Sequence, residues 1–293
     1  MSFLCGAPAG RPTRDEETGA YDHNIDWPGL ETSELIPLSD AAAGGGGSLD
    51  EALLTQRRVL FGDVVGSQHG YSATIVVWTR ALGSVAAERQ ASAFLEVLAD
   101  VCAAHVRLVF IAPPGSAADA RAYLRRFSHV APFPAELFID PRAQTHAAVR
   151  LRETWCGILP GGPAPPPGAP TRALFGGSRL AELVASLRGA TRPFSFSRAG
   201  GVAVVVPPSD DIHDTARPRC PFLHADAHSR DHASMREVLK AAGVANARDV
   251  DFDAAWARLA AHARRGTAPE TFVERAVDLE DFDIVKPKKG RKW

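Results

Sequence analysis

The chemistry open to this chain rests first on its thiols, Cys5, Cys102, Cys156 and Cys220. No two of them form a Cys-x-x-Cys pair, so they read as separate, reduced thiols rather than a disulfide framework. Cys102 falls on the apolar stripe of a predicted helix and reads as a small buried hydrophobe. Cys156 follows Trp155 just ahead of a proline-rich stretch. Cys220 lies in Arg217-Pro218-Arg219-Cys220-Pro221, where two guanidinium groups would favour a thiolate. Cys156 and Cys220 are therefore the candidate redox thiols. His213, His224, His228 and His232 form a second cluster, with Asp214, Asp226 and Asp231 among them. On a helix, the spacing 224, 228, 232 would bring three imidazoles to one face, as a metal site could use. Pro218 and Pro221 argue against a helix there, and no metal or cofactor is expected. Neither a Walker-type loop nor a Gly-x-Ser-x-Gly elbow is present.

The remaining chemistry centres on Thr74–Ala91, where a β-branched run ends at Trp78-Thr79-Arg80. Gly83 and Ser84 follow, and a helical pattern then begins. Ser84 suits an N-cap. Arg80 would favour an anion near that helix end, or would pair with Glu88 or a neighbouring acid on the surface.

The elements that must position these residues alternate between strand and helix. The chain has 293 residues, 45% hydrophobic and 23% charged, enough for a sizeable core. The net charge of −1 argues against a broad nucleic-acid surface. No apolar run approaches the ~20 residues of a membrane span, and no secretory signal is read at the start. Residues 1–48 are expected to be a flexible, disordered arm ending in the Gly44–Gly47 linker, with Ile25, Trp27 and Leu30 as a patch that could dock. Residues 49–60 read as a helix or turn, and Val59–Val65 as a short strand. Buried-type strands are predicted at 73–79 and 106–112, with a long helix over 86–104 between them. A helix at 117–128, a strand at 135–139 and a short helix at 142–151 follow. Next come a proline-rich loop near 160–170 and a helix at 179–187. Strands at 202–206 and 222–225 precede a helix with Ser234 as N-cap and Glu237 reaching back in a capping box. Gly243 closes that helix. Residues 244–293 read as a helical extension, with a helix at 253–264 and a basic tail, Lys286–Lys292.

The segment order resembles that of the peroxiredoxin-like AhpC/TSA antioxidant proteins. Trp78, Arg80 and Gly83 stand where that family has an aromatic residue, Arg and Gly before its Cys-x-x-Cys turn. Pro132–Pro141, Gly200-Gly201-Val202 and Asp231-His232 to Leu239 are similar to later family segments. The resemblance spans about 55–243 and implies a thioredoxin-like central sheet flanked by helices over 49–243. It also places Ser84 and Ala87 where the family carries its two cysteines. A peroxidatic sulfur needs a thiolate at a helix N-terminus and cycles through a sulfenic acid. A serine oxygen cannot run that cycle.

Three functional expectations follow. The first is an antioxidant-like protein that has lost its redox chemistry and acts as a binding or regulatory module for an unidentified protein partner. The second is an oxidoreductase that uses Cys156 or Cys220 instead. The third is a regulatory or nuclear protein acting through its basic tail; nucleic acid is not expected as a partner. An intracellular, chiefly cytoplasmic location is expected, with a nuclear one through the tail. Nothing in the sequence sets the oligomeric state.

Overall fold

The computed structural model describes residues 12–16, 20–38, 58–66, 70–80, 85–113, 136–151, 199–208, 217–226 and 231–265. The architecture is α/β, a mixed seven-stranded sheet flanked by helices. The strands are β1 (Glu34–Pro37), β2 (Val59–Leu60), β3 (Ala73–Trp78), β4 (Val106–Ala112), β5 (Glu136–Ile139), β6 (Gly201–Val206) and β7 (Arg219–Ala225). Their order is β2-β1-β5-β4-β3-β6-β7. β3, β4 and β5 run parallel, with Val76 opposite Val109 and Phe110 opposite Leu137. β6 returns antiparallel beside β3, and β7 antiparallel beside β6.

Every residue of β3 and β4 is buried, as expected of the unbroken β-branched run at 73–79 and of the second buried strand at 106–112. Alternation then divides the core into two layers. Ile75 and Val77 face the layer that holds Phe94, Leu98, Phe110 and Val238. Val76 and Trp78 face the other, with Trp27, Leu30, Phe61 and Cys220. The first layer is covered by α3 (Val85–Glu96), α4 (Leu98–Ala103), α6 (Met235–Ala241) and α7 (Phe252–Arg265). The second is covered by α1 (Trp27–Glu31), α2 (Phe61–Val65) and α5 (Gln144–Ala148). No described helix is long and apolar enough to cross a membrane.

Several expectations are corrected. The arm expected to be loose over 1–48 is, across 20–38, part of the body. Residues 34–37 form a sheet strand, with Ile36 opposite Ile139 and Leu35 opposite Val59. Trp27, Leu30, Leu35 and Ile36 are buried. Full burial of such side chains is worth roughly 1.5–3 kcal/mol each, which offsets an ordering cost of about 1–2 kcal/mol per residue. Val59–Val65 is not one strand but two strand residues and then α2, because Phe61, Val64 and Val65 follow helical spacing. The single helix expected over 86–104 breaks at Val97 into α3 and α4. The weak strand expected at 222–225 is a seven-residue edge strand. Ser234 caps α6 by accepting from the Glu237 amide at 3.4 Å. Its hydroxyl is turned to Asp249 Oδ1, 3.0 Å away, and among the described residues no bond returns from Glu237. The expectations for 1–11, the Gly44–Gly47 linker, 49–57, the 117–128 and 179–187 helices, the proline-rich loop and the basic tail fall outside the described residues.

Candidate functional site

Of the residues singled out by sequence, Trp78, Arg80 and Asp226 meet at the C-terminal end of β3. In open α/β sheets this is the end where ligands gather. The chain leaves β3 through Trp78, Thr79 and Arg80 and enters α3 at Val85. Gly83 and Ser84 lie outside the described residues. Ala87 is 1% exposed, turned into the core from the first turn of α3.

Trp78 is fully buried, and its indole N–H donates to Thr145 Oγ1 at 3.0 Å. The Thr145 hydroxyl donates to Asp140 Oδ2 at 2.6 Å. Asp140 also accepts from the amides of Gln144 (3.0 Å) and Thr145 (2.9 Å) and faces His146 Nδ1 at 3.1 Å. Burial alone would raise this carboxyl. Hydrogen bonds from His146 and Thr145, the His146 charge and the Gln144 amide outweigh it and hold Asp140 below the usual carboxylate range. The network ties the end of β3 to the start of α5. Sequence reasoning missed it, although Asp140-Pro141 four residues ahead of Gln144 carries the signal of an acidic group at a helix start.

Arg80 is not on the surface as expected. It is 7% exposed, with Nε 3.9 Å from Asp226 Oδ2. Asp226 stands at the end of β7, with its amide bonded to the Gly200 carbonyl at 2.9 Å. This close approach explains the paired glycines that open β6. A Cβ on Gly200 would sit 2.6 Å from Asp226 Oδ2 and 3.0 Å from the Trp78 carbonyl oxygen. A Cβ on Gly201 would sit 2.7 Å from the His224 carbonyl oxygen. Burial pushes the Asp226 carboxyl up to about 8, against the pull of Arg80 and with a further push from Asp231.

Of the histidine cluster, the described members are His224 and His232. His224 Nε2 lies 3.7 Å from Asp226 Oδ1 and 3.6 Å from Asp231 Oδ1. His232 stacks on Phe252 with ring centroids 4.7 Å apart. Both of its ring nitrogens are sealed from solvent, without a hydrogen-bond partner among the described residues. Burial, then the charges of Arg89, Arg80 and His224, push its imidazole down to about 3, with Asp231 opposing. His213 and His228 lie outside the described residues, and among those described no group of three or more donors could hold a metal ion.

Neither described thiol is at this end of β3. Cys102 is half-buried on α4, and burial raises its pKa. Cys220 is fully buried, which corrects the expectation that Arg217 and Arg219 would favour its thiolate. Those arginines are exposed, and burial first, then the Asp22 charge, drive its pKa upward. Its Sγ donates to the Phe222 carbonyl at 3.0 Å. Cys5 and Cys156 lie outside the described residues. The arrangement therefore offers a buried guanidinium, a carboxyl and imidazoles, suited to holding charge and polar groups rather than to thiolate attack. No protein-family model, curated protein or solved structure matches the chain.

Proposed function

We propose that this chain is a thioredoxin-like protein of AhpC/TSA type whose family-site chemistry has been lost, and that it acts as a binding or regulatory module. The observation that carries the reading is the passage from β3 into α3. A fully buried strand ends in Trp78-Thr79-Arg80, a helix follows, and Ala87, at the position the resemblance gives to a resolving thiol, is a buried methyl group. The mixed sheet, with β4 parallel and β6 antiparallel to β3, is consistent with a thioredoxin-like class. The high pKa of Cys220 weighs against a relocated redox centre on β7.

The reading is tested by restoring sulfur. Ser84→Cys should create a thiol titrating well below the free value of ~8.5, because helix N-termini favour thiolates. Titration of that thiol at or above the free value would show that position 84 is not the family's peroxidatic position.

A further inference from the structure

Helix α7 lies across α3, and the face it covers is polar. Glu88, Arg89, Ser92 and Glu96 recur at positions that share one side of α3, whereas a permanently buried helix face is normally apolar. Arg89 Nε meets Asp253 Oδ1 at 2.5 Å, and its guanidinium stands 5.6 Å from the Trp256 ring centroid. The Trp256 indole N–H donates to Glu88 Oε2 at 3.2 Å. Arg258 Nε donates to Glu96 Oε1 at 2.7 Å. Arg248, in the loop before α7, donates to the Glu96 carbonyl at 3.0 Å and lies 3.5 Å from Asp100.

Among the described side chains of 248–258, the apolar hold is limited to Ala255 in the core and to Val250 and Phe252 packed against it. Between Phe252 and Arg258 only Ala255 is buried, with Phe252 and Trp256 half-covered. One partner of each ion pair is more than half exposed: Asp253 at 60%, Arg258 at 56% and Arg248 at 52%. Pairs of this kind are screened by salt. Few buried apolar contacts also mark the elements that open locally before the body unfolds.

We propose that residues 248–258 form a detachable strap, held to α3 chiefly by charge, whose release bares the polar face of that helix beside the Arg80–Asp226 pair. Glu88 and Arg89 lie in the first turns of α3, next to the end of β3, so the strap governs access to the region described above. Its covering pattern, Asp253-x-x-Trp256-x-Arg258, is the chemistry that an amphipathic helix would need to take its place. The proposal goes beyond the loss of thiol chemistry and does not depend on it.

Hydrogen exchange on the full-length chain tests it. Between about 0.05 M and 1 M salt the Debye length shrinks severalfold, and amides of 253–258 should exchange at least ~10-fold faster, while those of β3 and β4 stay within about twofold. Arg258→Glu should reproduce the opening at low salt, and Arg258→Glu combined with Glu96→Arg should reverse it. Protection of 253–258 equal to that of β3 at both salts would overturn the proposal. So would a folded double variant that stays open. Thiol reactivity does not enter this measurement, so its failure is distinguishable from failure of the proposed function.

Discussion

The backbone amide of Cys220 donates to the Asp22 carboxylate at 2.7 Å, joining residues 198 positions apart. The Tyr21 amide reaches the Cys220 carbonyl at 2.8 Å. The N-terminal segment thus closes the outer edge of β7, where unpaired backbone groups would otherwise face solvent. It also sets an acidic group beside a buried thiol. Asp22→Ala should leave the Cys220 amide unpaired, costing about 1–3 kcal/mol. It should also speed modification of Cys220 by a thiol reagent in the folded protein. The check is denaturant unfolding together with labelling rates; unchanged labelling in the variant would count against this account of the edge.

Arg107 is a buried cation within an otherwise apolar strand. It forms a bidentate pair with Glu136, with both N···O distances 2.7 Å, and donates to the Val64 carbonyl. Its guanidinium also lies 5.7 Å from the Tyr71 ring centroid. Glu136→Ala would strand that charge next to β5 and should cost about 3–5 kcal/mol if the pair behaves as buried, less to the extent that the 47% exposure of Glu136 lets water replace it. Urea unfolding of the variant measures the difference. A cost near zero would show that water replaces the carboxylate without penalty.

Much of the sheet was legible in the sequence because its central strands are runs of β-branched and apolar residues, which need no partner to be recognised. The β-branched Thr74–Val77 within Ala73–Trp78 is the clearest case, and Val106–Ala112 is apolar apart from Arg107. Of residues 20–38, the docking patch Ile25, Trp27 and Leu30 was legible, but the strand 34–37 was not, because Leu35 and Ile36 become a pattern only against β2 and β5. The site was half legible. Trp78 and Arg80 stand out by position, but Asp226 and Asp140 gain meaning only when β7 and α5 fold against the end of β3. The flanking arginines of Cys220 misled for a related reason: in an edge strand, side chains one residue away face the opposite side.

Two buried groups give the chain a distinctive pH response. Asp226 has a raised folded pKa, about 8, so its contribution is present below about pH 4 and is lost as pH rises toward 8. His232 has a lowered folded pKa, about 3, so its contribution is present above about pH 6.5 and is lost as pH falls toward 3. From about pH 4 to 6.5 the two slopes oppose each other. From about 6.5 to 8 Asp226 acts alone, and stability should fall by at most about 1.4 kcal/mol per pH unit. Asp226→Asn should abolish that fall, and His232→Phe should extend it down to about pH 4. Chemical unfolding across pH 4–9 reads these slopes; an identical profile in all three proteins would refute the assignment.

Asp140 supplies a separate acid limb. Its folded pKa is lowered, so the stability it gives is present above about pH 4 and is lost as pH falls below that. Asp140→Ala removes the acceptor for Thr145 and the α5 amides and should cost about 1–3 kcal/mol at neutral pH. The variant should also lose part of the acid-induced destabilisation of the wild type. Thermal unfolding at pH 3 and pH 7 compares the two, and an equal loss at both would show that Asp140 acts by packing rather than by charge.

The proposed loss of thiol peroxidase chemistry is tested most directly by brief peroxide treatment of the native full-length protein, with mass-spectrometric counting of sulfenic acid at each cysteine. The account predicts slow oxidation with no favoured site: Cys220 is protected because it is buried, and Cys102 reacts no faster than an ordinary thiol. Fast, selective oxidation of a single cysteine, Cys156 or Cys220, would contradict it and restore the chain to the working oxidoreductases.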